Sequence, residues 1–185
     1  AADPPMKKKT KWLLAIAGLI LFALLAFVVA GPWLAINGIR NVVASGNYGE
    51  LWRFVDFDQL RENVRPQIQA RIARGIIERA GAGSTTDAIA GVTDLISKPA
   101  IDAMVSPLGV ATLLRGSALV RQVSGQKDAD GKARAADPLK DAKTGYVSPS
   151  LFTATVQNAE GQPVVFQFRR SGLAWKLTGI DLPED

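Results

Sequence analysis

The chain has 185 residues, 48% of them apolar, with a formal charge of +5 and a sequence pI near 9.7. It contains no cysteine and no histidine, which removes disulfides, thiolate and imidazole metal ligands and the commonest general base. Lys7, Lys8, Lys9 and Lys11 supply most of the surplus charge; without them and Asp3, 18 basic side chains stand against 16 acidic ones, too even a balance for a nucleic-acid surface.

Those lysines precede an uncharged stretch from Trp12 to Gly38, of which Trp12 to Ile36, 25 residues, is strongly apolar. At about 1.5 Å per residue, about 20 such residues cross a hydrocarbon core of roughly 30 Å. Trp12 and Trp33 stand near the two ends, where indole rings favour the headgroup layer, and the lysine cluster marks the cytoplasmic side. Lys7, Lys8, Lys9, Lys11, Trp12 and Trp33 are therefore the expected membrane-interface residues. Val28-Val29-Ala30 before Gly31 offers small residues to a signal peptidase. The apolar run, however, exceeds the roughly 7 to 15 residues of a signal peptide, and an uncleaved signal anchor is the favoured reading. It places the lipid bilayer among the partners and the remainder of the chain in the periplasm of a bacterium, anchored in the inner membrane. Ala1 to Pro5 read as a disordered leader or an early start site.

After Pro32, Trp33, Ile36, Ile39 and Val43 recur at helical spacing and stop near Ser45-Gly46-Asn47. Leu51, Phe54, Val55 and Phe57 form a second apolar face. Asp58 is a candidate N-cap for a helix whose ridge is Leu60, Val64, Ile68, Ile72 and Ile76, with a kink or restart expected at Pro66. Arg61, Arg65, Arg71, Arg74 and Arg79 lie on its other faces and read as solvated surface. Residues 81–86 are a break, and Gly91 to Leu114 predict one or two shorter helices interrupted at Pro99 and Pro107. Residues 124–145 are polar and charged and predict a long loop or a mobile linker.

The C-terminal part is β-rich. Leu151 to Gln157, Val164 to Arg170 and Leu173 to Leu182 predict three strands, with Phe152, Ala154, Val156, Val165, Phe166, Phe168, Trp175, Leu177 and Ile180 supplying the inner layer. The expected fold class is α+β: one transmembrane helix, then several helices packed on a three-stranded antiparallel sheet. The organisation read from the sequence is a basic tail (1–11), the anchor (12–36), a helical part (37–123), the polar loop (124–145) and the β meander of the same domain (146–185).

The run from Ala35 to Ile72, with Val55-Asp56-Phe57 at its centre, and the closing run from Arg170 to Pro183, with Trp175-Lys176-Leu177, resemble the bacterial domain-of-unknown-function family 2939. The resemblance spans roughly Leu13 to Pro183. It implies one N-terminal membrane segment, a small helix pair and a closing strand with a Trp and a terminal Leu-Pro. The family has no established activity, so the resemblance carries an architecture and no catalytic residue.

Patterns that imitate known sites fail on spacing. Gly125 and Gly131-Lys132 are one residue too far apart for a phosphate loop and lack the following Ser or Thr. Asp128, Asp130 and Gly131 do not have the spacing of a calcium loop. Ser124 with Lys127, and Lys143-Thr144-Gly145, sit too close together to form a penicillin-binding site. No catalytic, metal or cofactor-binding residue is assigned, and no cofactor is expected. Trp52, Phe54, Asp56, Phe57, Asp58 and Trp175 are the candidate pocket or structural residues. Asp56 and Asp58 are the acidic pair set among aromatics, where burial would raise a carboxyl pKa and permit proton exchange. Bonding of Asp56 to backbone amides or to Arg53, and core positions for both tryptophans, are the plainer readings. The function expected is a membrane-anchored binding or accessory module partnered by another membrane or envelope protein, with no nucleic acid. The alternative is a small-ligand-binding or hydrolytic domain using Asp56.

Overall fold

A computed structural model of the chain describes residues 8–80, 86–112, 139, 141–158 and 161–183. Most of the predicted polar loop, and Lys7, lie outside the described residues. The first element, α1, is a single helix from Lys8 to Ser45. The anchor and the following helical segment, separate in the sequence reading, are thus continuous through Pro32. Its first part is apolar on all sides and uncovered, and it is the one described helix long and apolar enough to cross a membrane. Its last part buries Gly31, Pro32, Ala35, Ile36, Ile39 and Val43.

A 3-10 turn at Tyr48–Arg53 leads into α2, Phe57–Ala80, and then α3, Thr86–Met104, with a further helical turn at 107–112. Leu60, Val64 and Ile68 of α2 are buried, as their four-residue spacing predicts. The helix does not restart at Pro66, which is exposed. A helical proline removes the bond to the carbonyl four residues back, and at a solvent-facing position water can take up that carbonyl. Pro99 lies inside α3 in the same way.

The sheet has four strands rather than three: β1 (Lys143–Ser148), β2 (Leu151–Gln157), β3 (Pro163–Ser171) and β4 (Ala174–Asp181), in the order β1-β2-β3-β4 and antiparallel throughout. The missed strand, β1, has mostly exposed side chains and begins within the segment read as loop, so apolar alternation did not mark it. Phe152 faces Phe168 and Ala154 faces Phe166, forming an inner layer that packs on α1 and α2. Leu177 and Ile180 are three residues apart, so strict alternation would put them on opposite faces. A bulge between their partners Phe168 and Phe166 leaves Thr178 as the extra residue and brings both inside.

The outer edge of β4 is covered. Leu177 exchanges backbone bonds with Phe54 and Asp56 (Leu177 N–H to Phe54 O, 2.7 Å; Asp56 N–H to Leu177 O, 2.9 Å), a short parallel bridge centred on Val55. Farther along, α2 presents a polar row at four-residue spacing. Asn63 Oδ1 accepts from the Ile180 N–H at 2.8 Å, and Gln67 donates to the Ile180 carbonyl at 2.9 Å and accepts from the Leu182 N–H at 2.8 Å. Arg71 donates to the Pro183 carbonyl, so it is not simply solvated surface. Saturating an edge this way removes a template for pairing with another chain.

Candidate functional site

Among the described residues, a polar construction joins the middle of α1 to the start of β4. In an α-helix the N–H of residue 32 would bond the carbonyl of residue 28, and proline has no N–H to give. Pro32 therefore leaves the Val28 carbonyl without its helical donor. Trp175 supplies the replacement: its Nε1–H donates to Val28 O at 3.0 Å while its ring is buried, 4% exposed. Gly31 makes the room, since a Cβ there would stand 2.2 Å from Trp175 Cδ1. Glycine and proline thus build a seat for one indole, the first by space and the second by a free acceptor.

A second strand reaches the same turn of α1. Tyr146 of β1 donates its hydroxyl to Val29 O at 2.5 Å. Its ring stands edge-on to Trp33 (5.7 Å), Phe152 (5.0 Å) and Trp175 (5.8 Å), and Trp33 is likewise edge-on to Phe152 at 4.8 Å, the arrangement that ring quadrupoles favour. Burial pushes the Tyr146 hydroxyl above its ordinary pKa, with Arg170 acting in the opposite direction. Beside this cluster lies a mostly apolar groove of about 550 Å³, whose lining includes Val28, Val29, Val147, Pro149 and Arg170. Trp33, expected at a headgroup boundary, packs on Phe152 of the sheet and is 41% exposed. Lys8, Lys9, Lys11 and Trp12 are exposed at the far end of α1.

The acidic pair divides into two ordinary roles. Asp56 is the residue that precedes α2: its Oδ1 accepts from the Gln59 N–H at 3.1 Å and its Oδ2 from the Gln59 side chain at 3.0 Å. This is a capping arrangement that satisfies an orphan amide and favours a negative charge at the helix start. Asp58, the cap expected from the sequence, stands two residues too late, inside the first turn; it is exposed and paired with Arg61 at 3.1 Å. The helix begins earlier because the Val55 bridge to β4 holds the chain extended up to Asp56.

The aromatic candidates also separate. Phe54 is half-buried against Gly38, where a Cβ would stand 2.3 Å from its ring, and Phe57 packs against the core. Trp52 is not in the core: it is 60% exposed, with the Arg53 guanidinium 5.7 Å above its ring. Trp52 thus lies at the surface, whereas Trp175 is buried against α1.

A second, polar groove of about 670 Å³ runs between the start of α2 and the sheet, lined by Asp58, Arg61, Glu62, Arg65, Gln167 and Arg169 among others. Its charges pair with one another, Arg61 with Asp58 and Arg65 with Glu62 at 3.4 Å. Asp56 lines neither groove. Among the described residues no three acidic side chains cluster as a metal site would require.

A family model described as "Protein of unknown function (DUF2939)" matches residues 21–113, half of the chain. The chain belongs to the DUF2939 family. The matched part of this DUF2939 chain begins within the apolar part of α1, takes in the Gly31-Pro32 seat and Val55-Asp56-Phe57, and ends before the sheet. No curated protein and no solved structure matches.

The sequence reading did not single out Gly31, Pro32, Val28 and Tyr146 as the residues that join α1 to the sheet. A usable clue was present: a proline inside an apolar helical run frees one carbonyl, and a tryptophan among apolar residues needs an acceptor for its N–H.

Proposed function

We propose that this protein is a single-pass membrane protein whose folded domain is held rigidly on the outer end of its anchor and acts by binding an envelope partner. The observation that carries the reading is the continuity of α1: the apolar segment enters the domain with no linker, and residues 31–43 of the same helix are core. A cut after Ala30 would fall inside this helix and remove the carbonyls that Trp175 and Tyr146 use, which favours an anchor that is retained. Residues 12–30 span about 28 Å at the helical rise, close to the hydrocarbon thickness of about 30 Å. The four lysines before Trp12 favour a cytoplasmic N-terminus and a periplasmic domain in a bacterial inner membrane.

Binding rather than catalysis is supported by the engagement of both Asp56 oxygens in the α2 cap. A domain fixed close to a bilayer has a raised effective concentration for membrane-bound partners. The test is made on native membranes. The retained-anchor reading expects a mature mass that includes residues 8–30, resistance to alkaline extraction, and labelling of a single cysteine at Gln157 by an impermeant maleimide in intact spheroplasts. A mature chain beginning at Gly31 overturns the anchor; labelling only after lysis overturns the orientation. Co-purification of a second protein at fixed stoichiometry is the outcome expected for a binding module. Turnover that Asp56→Asn abolishes without unfolding the domain would replace it with an enzyme.

A further inference from the structure

We propose that the domain rests on the bilayer surface itself, through the tips of the β1–β2 and β3–β4 hairpins, with Val147 and Leu173 entering the interfacial layer and Arg170 meeting anionic lipid headgroups. The inference rests on α1 spanning a membrane and adds a second, independent contact with it.

Both tips lie at one end of the sheet, since the Arg170 N–H donates to the Ser150 carbonyl at 3.1 Å. That end faces the uncovered part of α1. Trp175 meets α1 at Val28 and Gly31, whereas Leu177, farther along β4, bonds the Phe54 carbonyl, and Phe54 packs at Gly38. β4 and α1 therefore run in the same direction, and stepping back from Trp175 to Leu173 moves about 7 Å, at about 3.3 Å per residue, toward the apolar N-terminal part of the helix. Tyr146 anchors β1 at Val29, and Val147 is the next residue toward its tip.

The side chains at these tips are unusual for solvent-facing turns. Val147 is the extra residue of a bulge between Tyr146 and Ser148, and it is 65% exposed; Leu173 is 56% exposed. A bulge re-aims a side chain, and here it turns a valine out beside Val28 and Val29 on the wall of the apolar groove. The charge is complementary to an acidic surface: toward this end of the sheet, residues 145–153 and 167–177 carry Arg169, Arg170 and Lys176 and no acidic side chain. An occupant of this end must also accept the continuous apolar surface of α1 alongside, which a lipid interface does.

The test uses the full chain in vesicles of phosphatidylcholine with anionic phosphatidylglycerol. Single cysteines are placed at Val147, Leu173, Phe22 and Gln157 and labelled with an environment-sensitive fluorophore. The proposal expects blue-shifted emission, quenched by nitroxide lipids, at 147, 173 and 22, and water-like, unquenched emission at 157. It expects Arg169→Gln with Arg170→Gln to reduce quenching at 147 and 173 at least twofold, with position 22 unchanged. If position 22 is quenched while 147 and 173 behave like 157, the seat is overturned and the anchor survives. If position 22 is unquenched, the anchor itself fails. Hydrogen exchange on the unsubstituted chain reads the same contact without any label: slowed exchange of the 171–173 amides in vesicles relative to those at 157–158 supports it, and equal exchange overturns it.

Discussion

The two parts of α1 are one unbroken helix in two surroundings. From Trp12 to Phe27 its apolar side chains face outward on every side, whereas from Gly31 to Val43 a single stripe of Gly31, Pro32, Ala35, Ile36, Ile39 and Val43 is buried, with Leu34, Asn37 and Asn41 left outside. Apolar content alone did not separate the two parts; the pattern of burial does, because a striped helix needs a single partner face whereas one apolar all round is not satisfied by a single face. The border lies at Val28 and Val29, where two strands hydrogen-bond the helix backbone.

The largest test of that difference substitutes matched residues on either side of the border. Ile39→Ala removes a buried side chain between α1 and the sheet and is expected to destabilise the domain by about 2–5 kcal/mol. Ile20→Ala, on the uncovered side, is expected to leave domain unfolding unchanged to within about 0.5 kcal/mol. Denaturant unfolding of both variants in the same detergent makes the measurement. Equal losses would show that the apolar half is also packed against protein.

The border itself predicts a coupled pair. Trp175→Phe keeps an aromatic side chain but removes the donor together with part of the indole, leaving the Val28 carbonyl unsatisfied at an expected cost of about 1–3 kcal/mol on top of the lost packing. Pro32→Ala returns an N–H that reaches the same carbonyl, so the double variant is expected to lose less than the two single variants added together. A double-mutant cycle reads this coupling; simple additivity would mean that Pro32 is not the reason the carbonyl was free.

Where the chain leaves α1 and enters α2, the expected effects are smaller. Asp56→Ala removes the cap and is expected to cost about 0.5–2 kcal/mol, whereas Asn caps nearly as well as Asp, so Asp56→Asn is expected to unfold close to the parent. A large loss in Asp56→Asn would show that the charge, rather than the cap geometry, holds this corner.

These positions also mark how far the sequence could be read. The long apolar N-terminal helix, the α2 ridge and three of the four strands were legible because each carries a marked run of apolar residues, with a period of its own in the last two: Leu60, Val64 and Ile68 on a helix, Phe152, Ala154 and Val156 on a strand. β1 was not legible, since an edge strand with exposed side chains has no such period. The cap was assigned to Asp58 rather than Asp56 because the start of α2 is set by a bridge to Leu177, more than a hundred residues away. The pairing of Pro32 with Trp175 is likewise long-range: Trp175 was singled out without its acceptor, and only the fold brings the freed carbonyl to the indole.

The smallest expected effect is on the tyrosine side of the same border, and its sign follows from burial. Desolvation raises the Tyr146 pKa in the folded chain, with Arg170 opposing it, so the native state favours the protonated phenol relative to the unfolded chain, whose tyrosine titrates near about 10. The contribution to stability is therefore complete below that pH and is lost as pH rises through the higher folded value. The phenol proton is also the one donated to Val29, so ionisation removes the bond as well. Tyrosinate absorbance should accordingly show a titration step displaced to higher pH in the parent, absent in Tyr146→Phe. Thermal unfolding of the parent should lose, over the same alkaline range, a small increment of stability that Tyr146→Phe never has. A Tyr146 step at the ordinary value would mean that its ring is wetter than the aromatic packing around it indicates, and that Trp175 alone fastens the sheet to the helix.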